Sequence, residues 1–113
     1  MCFQSKERLM SLSKMTFFER FEADVLSGKK TITIRDESEK DYALNSIVQV
    51  SAFKNDRWFC ALKIKSVEAI ELSQLSDFHA QQENMSLLEL KGVIHKIYPN
   101  VKRLFVISYV LVD

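Results

Sequence analysis

TFFERFEADVLSGKKTITIRDESE, residues 16–39, changes its periodicity once, at Gly28. Before the glycine, Phe17 or Phe18, Phe21 and Val25 recur at helical spacing. Thr16 followed three residues later by Glu19 makes a capping box, which predicts a helix starting at Thr16. Gly28 suits the left-handed position that closes such a helix. After it, TITIR (31–35) alternates strictly, with Ile32 and Ile34 on one face of a strand and Thr31, Thr33 and Arg35 on the other. Lys29 and Lys30 precede this strand, and Asp36, Glu37 and Glu39 follow it. A structural strand does not need so many charges at its ends.

The rest of the chain supplies the partners. IVQVSAF (47–53) reads as a strand and KNDR as a hairpin turn. WFCALKIKSV (58–67) alternates as the return strand, and a separate strand is expected over 68–72. SQLSDFHAQQ (73–82) reads as a short helix. SLLELKGVIHKIY is a stronger one: Ser86 and Glu89 form a capping box, Leu87, Leu90, Ile94 and Ile97 line one face, and Pro99 ends it. RLFVISYVLV (103–112) is apolar almost throughout and is expected in the sheet interior. The order lacks βαβ alternation, so the fold class is α+β: a small mixed sheet or barrel with helices packed on it. Residues 1–14 lack periodicity and are expected to form an irregular tail, with one domain over 15–113.

Composition excludes several functions. Sixteen basic residues against 15 acidic leave a net charge of +1, unlike the basic footprint that holds nucleic acid. Two glycines and one proline leave no room for a Gly-rich phosphate loop. Cys2 and Cys60 read as free thiols in a reducing compartment. No window approaches the roughly 20 apolar residues of a membrane span, and residues 1–14 lack the apolar core of a secretory signal. A cytoplasmic monomer without membrane contact is expected.

Residues 16–39, together with HAQQENMSLLELKGVIHKIYP (79–99) and LFVISY (104–109), resemble the ASCH domain family. The likeness runs from about Thr16 to the C-terminus and is greatest to its branch of small bacterial N4-acetylcytidine amidohydrolases. It implies a small PUA-like mixed β-barrel. It also implies hydrolysis of an acetylated nucleoside, N4-acetylcytidine, to cytidine and acetate, without cofactor or metal. The catalytic set implied is Lys30 and Thr33 in GKKTITIR and Glu83 in QQENM. An RNA link follows from fold analogy only. A non-catalytic RNA- or nucleoside-binding module is the alternative.

The residues themselves allow this chemistry without requiring it. A threonine hydroxyl needs a base to become a nucleophile. Neither histidine, His79 or His95, offers a Ser-His-Asp arrangement, but a lysine whose pKa is lowered by burial or by neighbouring cations can serve. Lys29 and Arg35 are the local cations. Lys30 and Thr33 are three apart and would face opposite sides of a strict strand, so Lys30 is placed in the turn after Gly28, from which it reaches the Thr33 face. Equally, Lys30 can offset the C-terminal end of the first helix, Thr33 can be an ordinary strand residue, and Glu83 can favour the N-terminus of the second helix. Arg35 either binds substrate or pairs with Asp36, Glu37 or Glu39. His79 and Glu83 have ligand spacing but no further His or Cys joins them, so a metal is not expected. Trp58, Phe59 and Tyr98 can stack on a base or fill the core. The sequence leaves open whether Thr33 forms a covalent acetyl intermediate or positions water.

Overall fold

The structure, a computed structural model, describes residues 12–112. Cys2 and most of the stretch expected to be irregular lie outside them. Strands β1 (Lys14–Phe17), β2 (Ile32–Arg35), β3 (Ile47–Ala52), β4 (Trp58–Glu71) and β5 (Arg103–Leu111) form one sheet in the order β1-β3-β4-β5-β2. β1 runs parallel to β3, and the other pairs are antiparallel. Helices α1 (Glu22–Ser27), α2 (Asp77–Gln82) and α3 (Leu87–Ile97) complete an α+β fold.

The expected barrel is not closed. β1 and β2 end the strand order, and no backbone ladder joins them. The Arg35 side chain reaches across from β2 instead, Nη2 donating to the Thr16 carbonyl of β1 at 2.7 Å. A side chain sits where a ladder would have completed the barrel.

The sequence placed the first helix too early. Thr16 is not an N-cap: it pairs with Ser51 in the parallel β1–β3 ladder. Met15 and Phe17 alternate inward from β1 and are buried, so pairing and burial override the local capping signal. The chain turns through a 3-10 helix, Glu19–Phe21, before α1 begins. Gly28 closes α1 at φ 79°, the left-handed conformation that favours glycine.

β4 is one strand of 14 residues, not two. Its register against β5 shifts between Ile64 and Ser66, a bulge that moves the alternation by one residue. Cys60, Leu62 and Ile64 face one core before the bulge, and Val67 packs against that same core after it.

β5 explains its own apolar run. Leu104 and Val106 enter one core with Ile32, Ile34, Leu90 and Ile94, while Ile107 and Tyr109 enter the other with Met15, Phe17 and Val50. Both faces are covered, so the polar half of the alternation is absent. α3 forms as read: Ser86 Oγ accepts from Glu89 N at 3.1 Å, and Ser86 N donates to Glu89 Oε1 at 3.1 Å. Leu90 and Ile94 are buried from this helix, and Ile97 lies at its exposed margin. Among the described residues, no helix is long and apolar enough to cross a membrane.

Candidate active site

The end of β1 with the 3-10 turn after it, β2, the α2–α3 connection and α3 converge on a cavity of about 200 Å³. Lys30, Thr33, Arg35 and Glu83 all line it. They are also four of the five buried polar or charged residues among those described. Side chains of this kind are rarely buried unless paired, and here each has a partner.

Lys30 precedes β2, so its side chain is free of the strand alternation and joins Thr33 at the cavity. Its backbone is pinned at both polar groups: N donates to the Asp24 carbonyl at 3.0 Å, and O accepts from the Tyr109 hydroxyl at 2.9 Å. Its Nζ donates to the Ile32 carbonyl at 2.8 Å and to Glu83 Oε1. Burial holds the Lys30 ammonium below the ordinary lysine value, with the neighbouring Arg35 charge adding to the effect and Glu83 opposing it. Phe17 and Phe21 place their rings 5.5 and 5.2 Å from Nζ, an arrangement that favours the charged form.

Glu83 is placed by the end of α2. Its N–H bonds back to the His79 and Ala80 carbonyls, and the next residue, Asn84, takes φ 57° to turn the chain toward α3. The adjoining Gln82 carbonyl accepts from Thr31 N at 2.8 Å, which fastens this connection to the chain entering β2. Glu83 thus meets Lys30 across 53 positions of sequence.

Arg35 donates three times. Nε gives to Thr33 Oγ1 at 2.9 Å, Nη1 to Glu39 Oε2 at 2.7 Å, and Nη2 to Thr16 O. Of the three acids that could have paired with it, Glu39 does. The other Glu39 oxygen accepts from the Tyr98 hydroxyl at 2.8 Å.

Apolar lining comes from Phe17, Phe18, Phe21 and Phe53 and from Leu90 and Ile94 of α3. Phe18 and Phe53 make an edge-to-face pair at 5.3 Å and are exposed. Of the aromatics considered for stacking, Tyr98 lines the cavity, Phe59 is half-buried against the core of Met15, Phe17 and Val50, and Trp58 is exposed with Nε1 on Gln49. Cys60 lies in that core, its thiol pushed up to about 11 by burial. His79 engages Ser76 at the start of α2. Among the described residues, no three His, Cys, Asp or Glu side chains gather as a metal site would need.

Sequence reasoning missed the phenylalanine wall, Tyr109, and the joint use of Glu39 and Tyr98. Phe17 and Phe21 were visible only as helix-face residues, and Tyr109 only as part of an apolar strand. Nothing in their spacing marks a cavity.

The ASCH domain family profile matches residues 10–92. The chain belongs to the ASCH domain family. A Vibrio vulnificus protein named N(4)-acetylcytidine amidohydrolase is 62% identical over 97 residues, covering 86% of this chain and 93% of its own. A Shewanella protein of the same name is 53% identical over 102 residues, covering 90% of this chain and 99% of its own. In architecture, this ASCH domain is similar to the crystal structure of an ASCH domain from Lactobacillus crispatus, with a TM-score of 0.71 at 17% identity over 89% of this chain and 79% of that one. That last likeness concerns the fold alone.

Proposed function

We propose that this ASCH domain is an amidohydrolase that converts N4-acetylcytidine to cytidine and acetate, with Thr33 as nucleophile, Lys30 as base and Glu83 as the proton relay. The observation that carries the reading is the buried Lys30–Glu83 pair on the same cavity as Thr33, in a chain 62% identical to a relative named for this activity.

The pair supplies both halves of the acid–base chemistry. Lys30 that has shed its proton offers a lone pair on the same cavity as Thr33, and the Glu83 carboxylate hydrogen-bonded to it can carry a proton onward. Burial favours the neutral lysine, because desolvation penalises its charge. Neutral Lys30 accepts the Thr33 hydroxyl proton as Oγ1 attacks the acetyl carbonyl carbon. The C–N bond then breaks as that proton passes from Lys30 through Glu83 to the exocyclic nitrogen, and cytidine leaves while Thr33 keeps the acetyl group as an ester. Neutral Lys30 takes a proton from the water that attacks the ester and returns it to Thr33 Oγ1 as the ester bond breaks, which releases acetic acid, ionised to acetate, and restores the free hydroxyl.

Arg35 serves this reaction as a fixed positive charge on the cavity wall. Its Nε–H at 2.9 Å from Thr33 Oγ1 stabilises negative charge on the attacking oxygen. The aromatic and aliphatic walls receive the flat pyrimidine and keep water from the charges below.

The test is direct. Purified protein mixed with N4-acetylcytidine should deplete its ultraviolet absorption and yield cytidine and acetate in equal amounts. An unchanged spectrum with folded protein at high concentration contradicts the reading.

A further inference from the structure

We propose that Glu39 and Tyr98 are positioning residues for this reaction: together they lock the Arg35 guanidinium so that its Nε–H stays on Thr33 Oγ1, which turns the Thr33 hydroxyl proton away from Arg35 and toward the cavity. The inference rests on the amidohydrolase reading above and adds two residues that do not touch the reacting atoms.

Geometry carries it. A guanidinium is planar and rigid, so fixing two of its nitrogens fixes the direction of the third. Nη2 is held by the Thr16 carbonyl of β1 and Nη1 by Glu39 Oε2, both at 2.7 Å. The Nε–H then has one direction, and Thr33 Oγ1 lies along it at 2.9 Å. A hydroxyl has one proton and two lone pairs. With one lone pair taken by Arg35, the Thr33 proton has to leave on another side.

Glu39 by itself is a weak anchor. It sits in the 3-10 turn Glu37–Glu39, and its side chain is 38% exposed. Tyr98, at the C-terminal end of α3, removes that freedom by donating to Oε1 at 2.8 Å. Both carboxylate oxygens are then occupied, and the group cannot rotate off Nη1. Burial and the Glu39 charge raise the Tyr98 phenol above its ordinary value, so it remains a donor over the working pH range. The Arg35 carbon lies 5.1 Å over the Phe17 ring, which limits movement out of plane.

The experiment measures kcat and KM for N4-acetylcytidine in the parent and in Glu39→Ala, Glu39→Gln and Tyr98→Phe. Nuclear magnetic resonance of the 15N-labelled proteins reports folding and the exchange of the Arg35 Nε–H. Glu39→Ala is expected to lower kcat by about 100-fold with little change in KM, the scale of a misplaced reacting group. Tyr98→Phe removes a single oxygen and should lower kcat about tenfold, the size of one lost hydrogen bond. Glu39→Gln should recover most of the rate: its amide oxygen accepts from Nη1 and its NH2 donates to the Tyr98 oxygen. The Arg35 Nε–H, protected in the parent, should exchange rapidly in Glu39→Ala. In an Arg35→Met background, which keeps the stem over Phe17, Glu39→Ala should have no further effect. An unchanged kcat in an active parent, a rise in KM alone, or a full additional loss in the Arg35→Met background overturns the proposal and leaves the amidohydrolase reading intact. An inactive parent overturns both. If Glu39→Ala does not fold, Tyr98→Phe decides by the same criteria.

Discussion

Replacing Glu83 by glutamine keeps the shape of the buried pair and removes its negative charge. The consequence depends on pH in a way that can be worked out beforehand. Lys30 is 3% exposed and already held below the ordinary lysine value of 10.5 by burial. Glu83 is the main influence opposing that, so Glu83→Gln lowers the Lys30 pKa further. Breaking a buried ion pair by removing one partner costs about 3–5 kcal/mol. Lys30 can avoid that penalty by shedding its proton, which costs the folded state about 1.36 kcal/mol for each pH unit below 10.5. The loss from the unpaired charge is therefore capped at about 5 kcal/mol at pH 7 but only about 2 kcal/mol at pH 9. The sign follows from proton counts. Between the lowered folded value and 10.5 the unfolded chain binds more protons than the folded one, so the variant gains stability as pH rises. Urea unfolding of parent and Glu83→Gln at pH 7 and pH 9 measures the difference directly. It should shrink markedly at the higher pH. A penalty of equal size at both pH values, or none at pH 7, would refute the argument that Glu83 compensates a buried Lys30 charge.

Lys30→Ala and Glu83→Ala should each be severely impaired in turnover, and Lys30→Ala combined with Thr33→Ala should be little worse than either alone, because residues acting as a unit are not additive; a steady-state comparison of the purified variants checks this. The rate should rise with pH as Lys30 loses its proton, with a midpoint below 10.5 in the kcat/KM profile; a profile flat across that range would remove Lys30 as the base. Burial pushes the Tyr42 phenol up to about 12 and raises Tyr109 as well, so their contribution to stability is complete below pH 10 and is lost as pH rises through the folded values; phenolate absorbance should therefore appear together with unfolding. Deleting residues 1–11 should leave turnover nearly intact, whereas deleting 1–17 removes β1 and the Thr16 carbonyl that holds Arg35, and should abolish it; both truncations are scored by turnover and circular dichroism.

Much of the architecture could be read from the chain because its local signals agree with its tertiary environment. Ser86 and Glu89 predicted the start of α3, Gly28 the end of α1, and the alternation of TITIR the faces of β2. The failures came where pairing outweighed pattern. Thr16 and Glu19 have the spacing of a capping box, yet four residues of parallel ladder claim Thr16 for the sheet. The bulge after Ile64 broke the alternation of β4 and made one strand look like two. The sheet stays open between β1 and β2, which meet through the Arg35 side chain, a contact that period-2 alternation cannot express. In the site, Lys30 and Thr33 lie close in sequence and could be considered together from the start. Glu83 had no local mark of importance and entered through family resemblance alone. Phe17 comes to the cavity from β1, Phe21 from the 3-10 turn and Tyr98 from the end of α3, and no spacing in the chain encodes that meeting.

The central claim is that the Thr33 hydroxyl attacks the amide. The measurement that tests it most directly is the rate at which folded Thr33→Ala hydrolyses N4-acetylcytidine, with Thr33→Ser beside it. The fold should survive the change, because Ile32 and Ile34 supply the core face of β2. Turnover by Thr33→Ala should fall by several orders of magnitude, as it does when a nucleophile is removed from a cooperating set. Thr33→Ser, which keeps the hydroxyl with a looser χ1, should retain part of the activity. A folded Thr33→Ala protein that works at close to the parent rate would contradict the account.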